Sequence, residues 1–416
     1  MTAWTPTYKI QVDGYEVTDI TVANLTITSG RTDINQQPIA GYCQLQLLNL
    51  DNTSYDFTVG TSLSVQVTDS TNAYVPIFGG YISDFTISVN RAGSIGYTTT
   101  ATITALGALS KLPKIIDPGV LSQDYDGDQI YSLLSGYLLG QWNEVPAAET
   151  WATYNPTETW ANAVNIGLGE VDQPGDYELI ARNASNTDLY SLCADIANSA
   201  FGVIYEDANG NIGYADSTHR QDYLANNGYT TLDANHANGI GLAATTRAGD
   251  LRNSFTINYD NNGNQTYTAS DLTSQSVYGV YSEEYTSRIK QTSDAENLAD
   301  RYIALRATPY PKFQSITFVL GNPEIDDADR DALINIFMGQ PVWIQNLPGN
   351  ITNGSFQGYI EGWTFRASLN NLSVTFNASP VSFSQLAVKW EQVNAAETWN
   401  SLNPALTWLD AIGVVA

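Results

Sequence analysis

Cysteine is almost missing from this chain of 416 residues: Cys43 and Cys193 are the only two. No disulfide framework can hold the fold, and both are expected as buried free thiols. Histidine is as scarce, with His219 and His236 alone, so no zinc-ligand pattern exists. Positive charge is also in short supply. Seventeen Lys and Arg stand against 43 Asp and Glu, for a net charge of −26. Nucleic-acid binders need cations to displace counterions from phosphates, so sequence-specific DNA or RNA binding is excluded. No apolar run approaches the roughly 20 residues of a membrane helix. The opening MTAWTPTYK lacks the apolar centre of a signal peptide, and a soluble protein with no membrane segment is expected. Gly-x-Ser-x-Gly, Walker A and His-Glu-x-x-His segments are absent, and no pair of carboxylates stands out as a glycosidase acid and base. No catalytic residue and no cofactor is therefore expected. Three acidic loops are weighed for calcium, Asp124-Tyr-Asp126-Gly-Asp128, Asp207-Ala-Asn-Gly-Asn211 and Asp327-Ala-Asp329-Arg-Asp331, and the first, with Asp124, Asp126 and Asp128, is the weak candidate kept. It lacks the glycine at six and glutamate at twelve of an EF-hand, and a helix-start loop is the preferred reading.

What is abundant is Tyr, Thr, Ser, Asn and Gly, over a hydrophobic fraction of 43%. That is the palette of a β-rich protein with polar, uncharged surfaces. From residue 8 to 105 the apolar residues alternate: Leu45 and Leu47; Leu63, Val65 and Val67; Ala101, Ile103 and Ala105. Period two predicts half-buried antiparallel strands. From about 113 to 245 the texture changes. Leu189, Leu192, Cys193 and Ile196 form one helical stripe behind Asn186-Thr187, read as its cap, and Asp207-Ala-Asn-Gly-Asn211 reads as a hairpin turn. Strands return from about 246, with a capping box at Ser293-Asp-Ala-Glu296 and a helix near Asp327–Phe337.

Two repeats lie in the chain. Phe78-Gly-Gly80-Tyr81-Ile82-Ser-Asp-Phe85-Thr86 matches Phe356-Gln-Gly358-Tyr359-Ile360-Glu-Gly-Trp363-Thr364. Each follows a Gly-x-x-[Leu/Val]-x-[Val/Ile] strand, at Gly60 and at Gly339, and precedes another strand. One β domain in two copies is predicted. The second repeat is WNEVPAAETWATYNPTETW, from Trp142 to Trp160, echoed by WEQVNAAETWNSLNPALTW, from Trp390 to Trp408. Trp142, Trp151, Trp160, Trp390, Trp399 and Trp408 are expected to lie on one face of a compact chain of turns and to dock, on this chain or a neighbour, because exposed tryptophans at a terminus are an aggregation hazard.

Gly30-Arg31, Leu45-x-Leu47-x-Asn49, Gly60-x-x-Leu-x-Val and Phe78-Gly-Gly-Tyr-Ile82, with Ser276-Val-Tyr-Gly-Val-Tyr-Ser-Glu-Glu284 and Gly339-Gln-Pro-Val342, resemble the baseplate or tail-tip hub family of tailed bacteriophages. The resemblance covers roughly residues 8–380. It implies a mainly β fold with α+β parts: two tail-tube-like antiparallel β-barrels flanking a small α+β middle domain. The expected divisions are 1–112 for the first barrel, 113–245 for the middle region with its Trp-rich segment 142–164, 246–380 for the second barrel, and 381–416 for a docking tail. The implied role is non-enzymatic: a virion component, a homotrimer whose six barrels adapt a hexameric tail tube to three-fold tip parts, touching a distal tail or tube protein and a spike, fibre or tape-measure protein. An acidic lumen would let DNA slide past without holding it. A carbohydrate-binding adhesin using the tryptophans, or a peptidoglycan-degrading tail enzyme, are the other readings.

Overall fold

A computed structural model describes residues 4–18, 20–49, 57–91, 98–139, 168–260, 264–368 and 370–384. Both Trp-rich segments lie outside the described residues. The opening strands are β1 (Tyr8–Val12), β2 (Ile20–Gly30), β3 (Tyr42–Asn49), β4 (Ser62–Thr68), β5 (Tyr74–Arg91) and β6 (Thr98–Gly107), with the two-residue strand Tyr15–Glu16 paired to β1 alone. Their alternation puts Leu45, Leu47, Leu63, Val65, Ala101 and Ile103 in the core, all at 0 or 1% exposure. Then come α1 (Asp126–Leu134), β7 (Leu168–Val171), α2 (Leu189–Ser199), the hairpin β8 (Val203–Glu206) and β9 (Ile212–Ala215), and α3 (His219–Asn227). The chain continues through β10 (Thr230–Asp233), β11 (Ala237–Thr245), β12 (Ser254–Tyr259), β13 (Gln265–Ser270), β14 (Ser282–Thr286) and α4 (Thr292–Arg306). It ends with β15 (Lys312–Val319), α5 (Asp327–Ile334), β16 (Pro341–Gln345), β17 (Phe356–Ser368) and β18 (Asn371–Pro380).

One large, mainly antiparallel sheet of thirteen strands carries most of the fold. Its first run pairs in the order β2-β3-β6-β5-β4-β1 and its second in the order β11-β15-β18-β17-β16-β10. Taken in chain order, the two runs have the same strand-to-strand wiring. One difference stands out: β1 lies antiparallel to β4, whereas β10 lies parallel to β16. The ladder passes from one run to the other through β17 and β2. Among the described strands, no hydrogen-bonded pair joins the first and last strands of either run. One apolar core lies against both runs. A second is built by α1, α2, β9, the small sheet β13-β12-β14 and α4.

The likeness of the runs extends to single residues. Gly60 and Gly339 have φ of 89° and 85°, which an L side chain rarely adopts. Gly60 N donates to Ile82 O and Gly339 N to Ile360 O, while Ile82 N and Ile360 N return the bond to Thr61 O and Gln340 O. Strand β5 slips by one residue against β6 between Ile82 and Asp84, and β17 slips against β18 between Ile360 and Gly362. A bulge at the same place bends both strands. Gly80 and Gly358 also serve one purpose. A Cβ at either would strike the ring of the aromatic two residues back, Phe78 or Phe356, and the carbonyl of Leu106 or Ser379 on the next strand. Replacing Gly358 with alanine is therefore expected to cost about 2 kcal/mol, as overpacking does. The check is a lower urea midpoint with an unchanged m-value, and Gly80→Ala should behave alike.

Several boundaries differ from the sequence reading. β10 and β11, expected in the middle region, hydrogen-bond into the large sheet. Residues 254–306, expected in the second barrel, form their own sheet and helix over the second core. Strand texture returns at 254, but the partners of those strands are one another. The cap of α2 is Asp188, whose carboxylate accepts from Ser191 N at 2.9 Å, in place of Thr187. The capping box at Ser293 is not formed: α4 already starts at Thr292, and Gln291, its cap, offers no side-chain bond. α5 ends at Ile334, three residues short of Phe337.

Candidate assembly interface

The join between the two runs carries a buried, fully bonded polar cluster. β17 lies antiparallel to β2, with Gly362 opposite Gly30, Thr364 opposite Thr28, Phe365 opposite Ile27 and Ala367 opposite Leu25. Arg31 N adds a bond to Glu361 O at 2.8 Å. The backbones approach so closely at Gly30 and Gly362 that a Cβ on either would meet the other strand. Above and below the pleat the pairs differ in character. Phe365, Ala367, Leu25 and Ile27 are sealed in the core at 4% exposure or less. On the other face Thr28 Oγ1 sits 3.3 Å from Thr364 Oγ1.

Glu361 is the residue displaced by the β17 bulge, and the bulge turns its side chain into a buried cluster of charge. Its Oε2 accepts from Arg31 Nε at 2.6 Å and Arg220 Nη2 at 3.0 Å. Its Oε1 accepts from Arg220 Nη1 at 2.7 Å and Ser379 Oγ at 2.5 Å. Burial alone would raise the acid's pKa. The two guanidiniums and the hydrogen bonds outweigh it and pull the pKa down to about 2. One carboxylate thus ties the turn after β2, helix α3 and strands β17 and β18 together. The matching residue in the first run is Ser83, which donates to Thr104 O within its own hairpin. A cavity of about 240 Å³ lies alongside, lined by Arg31, Arg220, Arg301 and Arg306. Four of the 17 cations of an acidic chain face it.

The residues singled out in the sequence fall in different places. Phe78, Ile82, Phe356 and Ile360 are buried at matching points of β5 and β17. Tyr81 lies under the Lys111 amine, 3.2 Å from its ring centre. Tyr359 is fully buried and its hydroxyl donates to Arg220 O at 3.2 Å, so the two copies diverge here. Trp142, Trp151, Trp160, Trp390, Trp399 and Trp408 lie outside the described residues. Cys43 and Cys193 are buried free thiols. The three aspartates of the calcium loop have different partners. Asp126 is fully buried, accepting from Tyr177 N at 2.8 Å and from the Tyr214 hydroxyl. Asp128 is held by Gln173 Nε2 at 2.8 Å, and Asp124 accepts from Tyr125 N at 2.9 Å. Among the described residues the three-ligand group is another one, His236, Asp326 and Asp329. Its members are already engaged: Asp326 caps α5 through Asp329 N, and Asp329 accepts from Asp233 N while 2.9 Å from His236 Nδ1.

Sequence reasoning missed Glu361, Arg220 and the sheet join. Glu361 occupied a variable position of the repeated motif. Its signal is the only acid of that strand, standing between Ile360 and Gly362 where the other copy has Ser83. In the sequence His219 carries no flanking motif. It lies buried with Nδ1 2.7 Å from Asp172 Oδ2; burial lowers its pKa, but Asp172 overrides this and the pKa is raised.

No family model and no curated protein matches the chain. Two solved structures share its fold over nearly their whole length. The 43 kDa tail protein of prophage MuSo2 from Shewanella oneidensis has 11% sequence identity and a TM-score of 0.54, with 91% of this chain and 99% of that one covered. The tail protein from Neisseria meningitidis MC58 has 11% identity and a TM-score of 0.57, with 92% and 98% covered. The chain therefore has the fold of phage tail proteins. No described helix is long and apolar enough to cross a membrane.

Proposed function

We propose that this chain is a structural, non-enzymatic hub of a phage tail tip or baseplate. Each six-strand run curls into a tail-tube-like barrel, and three chains form a ring of six. The ring adapts a hexameric tail tube to three-fold parts below it and leaves a passage for DNA. Its neighbours are a distal tail or tube protein on one side and a spike, fibre or tape-measure protein on the other. The Trp-rich segments 142–164 and 390–408 dock this hub to its neighbours.

The observation that carries the reading is the join itself. Two runs with one wiring and one bulge are placed side by side in a single continuous sheet, the arrangement a ring repeats. The fold of phage tail proteins supports the location. A charge of −26 suits a conduit for DNA, which finds few cations to hold it. Mass measurement in solution followed by particle averaging is expected to give three times the chain mass and a six-lobed ring. A strict monomer at every concentration, alone and with tail partners, would overturn the reading.

A further inference from the structure

The join inside the chain has two unmatched ends. On β5, residues 62–68 of β4 pair only as far as Tyr81. From Ser83 to Val89 that side of β5 has no partner strand among the described residues. On β11, one side pairs with β15 and the other with no described strand. These are the two places that β17 and β2 occupy in the other run. Their twins there are covered. Phe365 is 1% exposed, while Ile87, at the same point of β5, is 46% exposed. Ala367 is 4% exposed, while Val89 is 62% exposed. Leu25 and Ile27 are sealed, while their counterparts Leu242 and Ala244 are only partly buried.

We propose that the exposed half of β5 binds the free edge of β11 from a second copy of this chain, in the register that β17 and β2 use within one chain. The register follows from the shared ladders. Ile27 and Ala244 both face the strand that faces Ala105 or Ala378, and Ile87 corresponds to Phe365 through the common bulge. Ile87 then faces Ala244, Val89 faces Leu242, and Thr86 faces Thr245. The last pair reproduces Thr364 against Thr28, a threonine contact present in the internal join. One step further, where Gly362 meets Gly30, Asp84 meets Arg247, an opposite-charge pair at two exposed positions. The contact is head-to-tail, so it closes into a ring if the turn between runs is repeated between chains. It also covers a bare strand edge with apolar side chains, which otherwise invites aggregation. The proposal rests on the ring reading and specifies its seam.

The test is the double variant T86C/T245C of the full chain under mild oxidation. The expected result is covalent dimers and trimers on a non-reducing gel, absent from either single variant, since Cys43 and Cys193 are buried. The variant T86C/A243C, two residues out of register, should cross-link far less. A trimer by mass with no cross-link overturns the seam and leaves the ring standing. Equal cross-linking of the shifted variant overturns the register. No assembly together with no cross-link overturns both readings.

Discussion

Replacing Glu361 with alanine is expected to destabilise the chain by about 3–5 kcal/mol, the cost of leaving a buried charge without its partner. Both Glu361 oxygens are used, and removing them strands Arg31 and Arg220 with side chains at 5 and 10% exposure. Ser379 Oγ loses its acceptor as well. The loss should fall on the join, because Arg31 follows β2 and Glu361 lies in β17. Replacing all three charges with apolar residues, as in R31M/R220M/E361L, is expected to cost far less than E361A alone, since no uncompensated charge remains. Urea unfolding of the single and triple variants checks this. A loss in E361A below about 1 kcal/mol, the range of surface pairs, would mean the cluster is solvated and does not hold the join.

Stability is expected to rise as pH falls from 8 to 5, then collapse below about 4. Asp126 and Glu206 are pushed up to about 7 and Asp207 to about 6, in each case chiefly by burial. A carboxyl whose pKa is higher folded than unfolded holds its proton more tightly in the fold. Its stabilisation is complete below the unfolded value near 4 and is lost as pH rises through the folded one. Asp126, at 0% exposure, should contribute on the order of 3 kcal/mol across that window. Glu206 is partly open to solvent and accepts from Gly41 N and Leu109 N, so its share is smaller. Glu361 works the other way. Its pKa of about 2 gives stability that is present above its unfolded value near 4 and lost as pH falls toward 2. The optimum therefore lies between the two limbs, near pH 5. In Asp126→Asn the slope between pH 5 and 8 should flatten, because the amide keeps an acceptor for Tyr214 and cannot titrate. An unchanged slope would assign the dependence to other groups.

Much of the sheet could be read from the sequence because its information is local. Leu63, Val65 and Val67 alternate within one strand, and Gly60 and Gly339 mark the same turn in each run. What could not be read joins distant residues. Arg31 and Glu361 are 330 positions apart, and nothing near either names the other. β10 and β11 fall within the 113–245 stretch yet pair into the large sheet, because a strand's texture shows that it pairs, not with what. The aspartates at 124, 126 and 128 looked alike in sequence. They differ in the fold because α1 begins at Asp126, which is fully buried, while Asp124 stays exposed and Asp128 half-buried.

The reversed sixth strand sets the two runs apart at their outer margin. β4 has β1 running against it, whereas β16 has β10, the strand that follows α3, running alongside. The outermost strands of the two runs thus point in opposite senses relative to their neighbours. In a circle of three chains, the connections crossing one rim would alternate between two kinds, while the shared hairpins would repeat six times. A six-fold neighbour could then seat on features common to every lobe, and a three-fold neighbour could key to every second one.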